Sequence, residues 1–311
     1  MTVYLVSSKG HYEGVAKALM LMKNVLVERL RSKKRILIKP NFVSTTIELA
    51  ATHVKAVEAT IDFIYGEVGS RKIIIAEGPA TSLLSNGLKN FNYYSLKDKY
   101  DVEFVDLNLD DYKEIYVYAH NLEKKLRVRV AKTVLDADFR ISICRPKTHD
   151  TVVATLSIKN IAVGSLIDHD KSKLHAGFAA INLSIAEIAT KVMPHLSIID
   201  GFVGMEGNGP VLGDPKPWGV GIAGTNPVEV DAFTAWLMGF NPEDIGYLYI
   251  LHKWGYGEIN LEKIEVVGEN PLKYKTKFKP HWRYVKQLTW KNELARKGDL
   301  LERRILESPD R

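Results

Sequence analysis

An arginine, two lysines, a histidine and an asparagine crowd one stretch of this 311-residue chain, "ICRPKTHDTVVATLSIKN" over residues 143–160. Arg145, Lys147, His149, Lys159 and Asn160 flank what reads as a strand-to-helix junction. Cations in such a crevice suit a carboxylate or a phosphate, and an imidazole beside them can carry a proton. Three other signatures have the same form. Lys39-Pro40-Asn41, Glu77-Gly78-Pro79 and Asp200-Gly201 each close a run of Ile, Val or Leu. Lys39, Asn41, Glu77, Arg145 and Asn160 are therefore candidate ligand-binding residues. Lys147, His149, His175 and Glu206 are the candidate catalytic ones. The carboxylates also suit a divalent cation, with Asp200, Glu206, His149 and His175 as candidate ligands. Clustered carboxylates shift one another's pKa, as acid–base chemistry requires.

Several other residues need separate weighing. "GMEGNGPVLG" (204–213) matches neither a Walker loop nor GxGxxG before a helix. Its Gly207 and Gly209 either form an anion-binding nest beside Glu206 or simply permit positive φ. His175 lies in the polar link "DHDKSKLHAGFAA" (168–180), in which His169 reads as solvated. Asp231 follows "AGTNP", where it favours the dipole of its own helix. Cys144, the only cysteine, reads as a small buried hydrophobe on a β-branched strand. It excludes an internal disulfide, a Cys-ligated Fe–S cluster and a multi-Cys zinc site, and it suits a reducing cytoplasm. No HExxH, GxSxG or EF-hand pattern is present.

The elements that must position these residues are legible as periodic runs. "RILIKPN" (35–41), "KIIIAEGP" (72–79), "FRISICRPK" (139–147) and "LSIIDG" (196–201) are continuous apolar stretches, as strands buried on both faces are. Helical patterns over 12–31, 52–68, 151–165 and 178–193 alternate with them. A fifth strand over 218–225 leads into a helix over 226–240. The expected fold is α/β, a mainly parallel sheet flanked by helices, with a small antiparallel β excursion around 102–135. Residues 201–217 read as a long structured loop. In such sheets ligands bind beyond the carboxyl ends of the strands. A helix starting near 151 would carry Lys159 about 15 Å from that edge and out of the site.

With 46% hydrophobic residues the chain can bury a large core, which suggests an α/β domain over 1–270 followed by an extension over 271–311. The net charge of +6 is concentrated in that extension, where 12 Lys/Arg face 5 Asp/Glu. "LKYKTKFKPHWRYVKQLTWK" (272–291) interleaves Lys with Tyr274, Phe278, Trp282, Tyr284 and Trp290. It suits single-stranded nucleic acid, or equally an edge strand whose lysines face water. The most apolar segment, 14–30, is interrupted by Lys17, Lys23 and Glu28, and the N-terminus lacks the features of a signal peptide. A cytoplasmic protein with no membrane partner is expected. Oligomeric state is left open.

Taken together, "IKPNFV" (38–43), "RPKTHDTVVATLSIKNIAVG" (145–164), His175, "IIDGFVGMEGNGPVLGD" (198–214), "IAGTNPVEVDAFTAWLMG" (222–239) and "WGYGE" (254–258) resemble the uncharacterised family called domain of unknown function 362. The resemblance covers residues 35–268 and implies an α/β fold but no particular reaction. Many members carry ferredoxin-like cysteine motifs, which this chain lacks. A remoter resemblance is to the lactate racemase family, which uses a nickel-pincer cofactor tethered to a lysine. It makes Lys147, His149, Lys159 and His175 the positions to inspect. The functional expectation is an enzyme that binds a small anionic ligand, with a divalent metal left open. The alternatives are nucleic-acid or protein binding through the tail, and a scaffold whose site has decayed.

Overall fold

The apolar runs pair as a single twisted sheet. The computed structural model describes residues 2–80 and 82–301. Its strands are β1 (Thr2–Ser7), β2 (Ile36–Lys39), β3 (Ile73–Glu77), β4 (Val102–Asp106), β5 (Tyr112–Tyr118), β6 (Lys124–Ala131), β7 (Phe139–Cys144), β8 (Lys147–His149), β9 (Val153–Thr155), β10 (Leu196–Glu206), β11 (Asp214–Gly224) and β12 (Glu265–Gly268). The main order is β12-β1-β11-β10-β7-β2-β3-β4, with β8 added beside β10 and β9 beside β8. Along the main order only β11 runs against its neighbours. Ile36, Leu37, Ile38, Ile73 and Ile141 are fully buried, because helices cover both faces. One core lies under helices 11–21, 23–30 and 54–67; the other lies under helices 157–164, 178–192, 227–237 and 246–253.

Four details differ from the sequence expectation. The antiparallel excursion is only the β5–β6 ribbon, because 102–106 pairs in parallel with β3 as the sheet edge. An edge strand with one solvated side alternates much as a hairpin strand does. The expected loop 201–217 is largely a hairpin, since β10 continues to Glu206 opposite Asp214 and leaves only 207–213 as its turn. The expected helix 12–31 breaks at Met22. Most consequentially, residues 147–155 fold as the β8–β9 hairpin, so the next helix begins at Ser157 and not near 151.

The residues after 270 pack onto the body. Thr276 and Phe278 donate their N–H groups to Leu237 O and Met238 O at 2.9 and 2.8 Å, and Phe278 and Trp290 are buried. "KYKTKFK" is thus no sheet-edge strand. Of its interleaved aromatics Trp282 is the exposed one, while Tyr274 and Tyr284 are half-buried. Residues 302–311 of the expected basic extension lie outside the described residues. Among the described residues no helix is long and apolar enough to cross a membrane.

The helix Ser157–Gly164 is fixed from an unexpected direction. Asp231, fully buried on the helix Pro227–Leu237, accepts the N–H groups of Ser157 and Ile158 at 3.0 and 2.9 Å. It therefore caps its neighbour, while Asn226 caps Asp231's own helix. Ser157 Oγ also bonds Ser197 Oγ at 2.7 Å, tying the helix start to β10. Burial pushes the Asp231 carboxyl up to about 8, against the pull of both N–H groups. Asp231→Ala, which strands two buried donors, should cost about 2–4 kcal/mol in denaturant-unfolding experiments. Asp231→Asn keeps an acceptor and should cost less. An Ala variant as stable as the parent would contradict the capping role.

Candidate functional site

The carboxyl ends of β2 and β3 meet the helix Ser157–Gly164 through one buried lysine. Lys39 Nζ donates to Glu77 Oε2 at 2.5 Å, to Asn160 Oδ1 at 3.0 Å and to Pro40 O at 2.9 Å. Asn160 Nδ2 returns bonds to Lys39 O and Ser142 Oγ at 3.2 and 3.0 Å. Burial pushes the Glu77 carboxyl up, with Lys39 opposing. This layer is the floor of a cavity of about 350 Å³. Asn41, Glu77, His149, Lys159, Asn160 and His175 all line that cavity, with Asp150 and Lys171 beside them. Phe42, Val163, Pro210 and Val211 complete an apolar part of the wall.

Each basic group on the wall is held differently. Lys171 sits on the helical turn Asp170–Lys173, which Arg129 pins by donating from its backbone N–H and Nε to Asp170 at 2.7 and 2.9 Å. Lys171 Nζ donates to Asn108 Oδ1 and Leu166 O, both at 2.5 Å. Burial brings its amine down to about 8, with Lys39 adding and Glu77 opposing. Lys159 lies in the first turn of its helix, at the cavity wall. Among the described residues its Nζ has no hydrogen-bond or ion-pair partner. Burial brings it to about 8 as well, with Lys39 adding and Asp150 opposing. This corrects the sequence expectation that Lys159 falls outside the site: the β8–β9 hairpin consumes the residues that were read as two helical turns.

His149 is 4% exposed, and burial with nearby Lys159 drives its pKa down to about 3. The neutral ring accepts the Thr151 N–H on Nδ1 at 3.0 Å. That leaves Nε2 carrying the proton. Asp150 Oδ1 also lies 2.9 Å from Nδ1, so a protonated ring would exchange the amide for the carboxylate. His175 is exposed at the cavity rim and its pKa is lowered, by partial burial first and then by Lys159. The hairpin that carries His149 is strained, since the β-branched Val153 has φ +67°. Gln287, fully buried, clamps it by accepting the Val153 N–H at 2.6 Å and donating to His149 O at 2.8 Å.

The remaining candidates lie elsewhere. Lys147 is buried beneath the cavity and donates to Asn41 Oδ1 and to Ala50 O; burial brings its amine to about 7. Arg145 is spent on Ala51 O and Val203 O at 2.9 and 3.3 Å, bracing the backbone. Gly207, at φ +76°, gives its N–H to Lys279 O, and a Cβ at Gly209 would strike Thr148 O. These two glycines shape a turn, and no anion nest uses the Gly207 N–H. The divalent-metal set is not assembled. Asp200 accepts from His11 Nδ1 at 2.7 Å. Glu206 accepts the Lys279 N–H at 2.9 Å and pairs with Lys216 at 3.4 Å, because β10 runs on past the sheet edge. Among the described residues no three His, Cys, Asp or Glu are grouped to hold a metal ion. Sequence reasoning missed Lys171 and Gln287. Lys171 stood in the quoted link 168–180 beside the histidines that drew attention, whereas Gln287 had no local signal.

A family model described as a domain of unknown function (DUF362) matches residues 36–236. A thylakoid-associated protein of Synechocystis sp. is 27% identical in an alignment of 217 residues that covers 68% of this chain and 65% of that protein. The lactate racemase apoprotein from Thermoanaerobacterium thermosaccharolyticum aligns with a TM-score of 0.48 at 14% identity, covering 72% of this chain and 54% of that one. The chain therefore spans less than two thirds of the length of each.

An amine held at about 8 inside the fold, against an ordinary 10.5, opposes folding wherever it must remain charged. The cost is full below pH 8 and fades as the pH rises to 10.5. Lys159→Met should thus stabilise the protein by about 1–2 kcal/mol near neutral pH, after allowing for partial screening by water in the cavity. Thermal and denaturant unfolding of both forms across this range should show the gain shrinking with rising pH. A gain that does not change with pH would contradict the assignment.

Proposed function

The chain belongs to the DUF362 family, and we propose that it is an enzyme that takes a small carboxylate or phosphate anion into the cavity walled by Lys159 and Lys171. The observation that carries this reading is the Lys159 ammonium, which faces a cavity without a protein counter-ion or hydrogen-bond acceptor among the described residues. Removing a cation from water is costly unless a partner is supplied. The protein supplies one to Lys39 and acceptors to Lys147 and Lys171, and a ligand would supply one to Lys159. Asp150 Oδ1 accepts the Thr151 hydroxyl at 2.8 Å, and that bond and nearby Lys159 favour its carboxylate form against burial. It offsets part of the positive charge and leaves room for one anionic group. The apolar wall around Phe42, Val163 and Val211 suits a short carbon skeleton.

The same residues support proton transfer. A general base works best when its pKa lies near the ambient pH, which suits the Lys159 amine. Neutral His149 offers its Nε2–H to the ligand as a hydrogen-bond donor, and His175 at the rim exchanges protons with water. Calorimetric titration of the full chain with inorganic phosphate and with glycolate tests the binding. Lys159→Met and Lys171→Met should each weaken one or both anions by about tenfold or more, the scale of a lost charge-assisted bond. Lys72→Met, which removes a surface pair with Glu103, should leave affinity unchanged. Unaltered affinity in both cavity variants, or no binding by the parent chain, would refute the reading.

A further inference from the structure

We propose that Lys159 is a Schiff-base lysine, whose Nζ condenses with the carbonyl of a small anionic aldehyde or keto acid held against Lys171. The inference rests on the anion-site reading above and goes further by naming the substrate class. It starts from a contrast among four lysines at or beneath the cavity. Lys39 gives its donors to Glu77, Asn160 and Pro40. Lys147 is tied to Asn41 and Ala50, and Lys171 to Asn108 and Leu166. These acceptors fix each nitrogen in place, and the two on Lys171 leave it one ammonium hydrogen for an anion. Lys159 alone among the four has no such acceptor among the described residues, so its nitrogen can present a lone pair to the cavity.

The surroundings suit each stage of the condensation. Lys171 attracts the substrate's carboxylate and so presents the adjacent carbonyl to Lys159. The Nζ lone pair attacks the carbonyl carbon, and the C=O π pair moves to oxygen. Both amine protons then leave with that oxygen as water while the C=N bond forms, and a proton taken up from solvent gives the iminium. No oxidant or reductant is needed. His175 at the rim and the Nε2–H of His149 on the wall can serve the proton movements. The iminium keeps a positive charge on the former Nζ, and Asp150 on the same wall offsets part of it. The apolar wall limits the water that would hydrolyse the adduct.

The test uses the full chain, glyoxylate as the carbonyl probe and cyanoborohydride to reduce any imine, with adduct sites located by peptide mass analysis. One adduct per chain is expected at Lys159, forming faster than at an exposed lysine such as Lys273 by about tenfold or more, because far more of its amine is unprotonated near neutral pH. Glycolate, which has no carbonyl, should slow labelling by competing for Lys171. Lys159→Met should abolish the adduct while remaining folded by circular dichroism, and Lys171→Met should slow it. Labelling of Lys159 no faster than of Lys273, in protein that still binds glycolate, would overturn the covalent step and leave the anion site standing. Failure to bind glycolate or phosphate at all would instead overturn the anion site. Rapid labelling that glycolate does not slow would overturn the pairing of Lys159 with Lys171.

Discussion

The Lys39 ammonium, 0% exposed, is the constraint on which the site is built. It has three hydrogens, and Glu77, Asn160 and Pro40 take one each. Those partners come from β3, from the helix after β9 and from the turn after β2, so one ion fixes three elements relative to each other. A buried charge of this kind is tolerated only when every donor is satisfied, and removing a partner from such a pair costs about 3–5 kcal/mol. The rigidity extends outward. Asn160 can reach Lys39 only if its helix starts at Ser157, and Asp231 sets that start. Lys159, one residue before Asn160, is thereby delivered to the wall of the cavity.

The lysines around this floor divide the work by their partners. Lys39 is structural and fully paired. Lys147 braces Asn41 and the Ala50 backbone, Lys171 is anchored through Asn108, and Lys159, with no acceptor among the described residues, faces the cavity. Burial first, with repulsion among neighbouring cations added, draws three of these amines down toward neutrality. The proposed anion would relieve that repulsion, and the strain stored in the hairpin at Val153 lies at the same place.

Much of this architecture was legible in the sequence. Continuous β-branched runs disclosed β2, β3, β7 and β10, and the polar residues closing the first three do meet at one edge. Lys39, Asn41, Glu77, His149, Asn160 and His175 were brought together as expected. The misplacements share a physical origin. Asp150-Thr151 reads as a helix cap, yet it turns the β8–β9 hairpin, which depends on a positive φ at Val153 that no glycine or asparagine announced. Lys159 was placed too far away for that reason. Gly and Pro across 201–217 signalled a loop, but the flanking strands extend into that stretch and carry Glu206 off the edge. Gln287 acts across 138 residues, and Asp231 caps a helix 74 residues earlier; no local pattern reports such partnerships.

The most direct measurement is an NMR titration of the lysine side-chain amines, followed through their ε-carbons, with and without inorganic phosphate. Lys159 and Lys171 should titrate near 8, well below the exposed lysines, and the Lys159 midpoint should move upward when phosphate is present, because a bound anion favours the ammonium. A Lys159 midpoint at the ordinary 10.5, or one that phosphate leaves unmoved, would contradict the assignment of this cavity as an anion site.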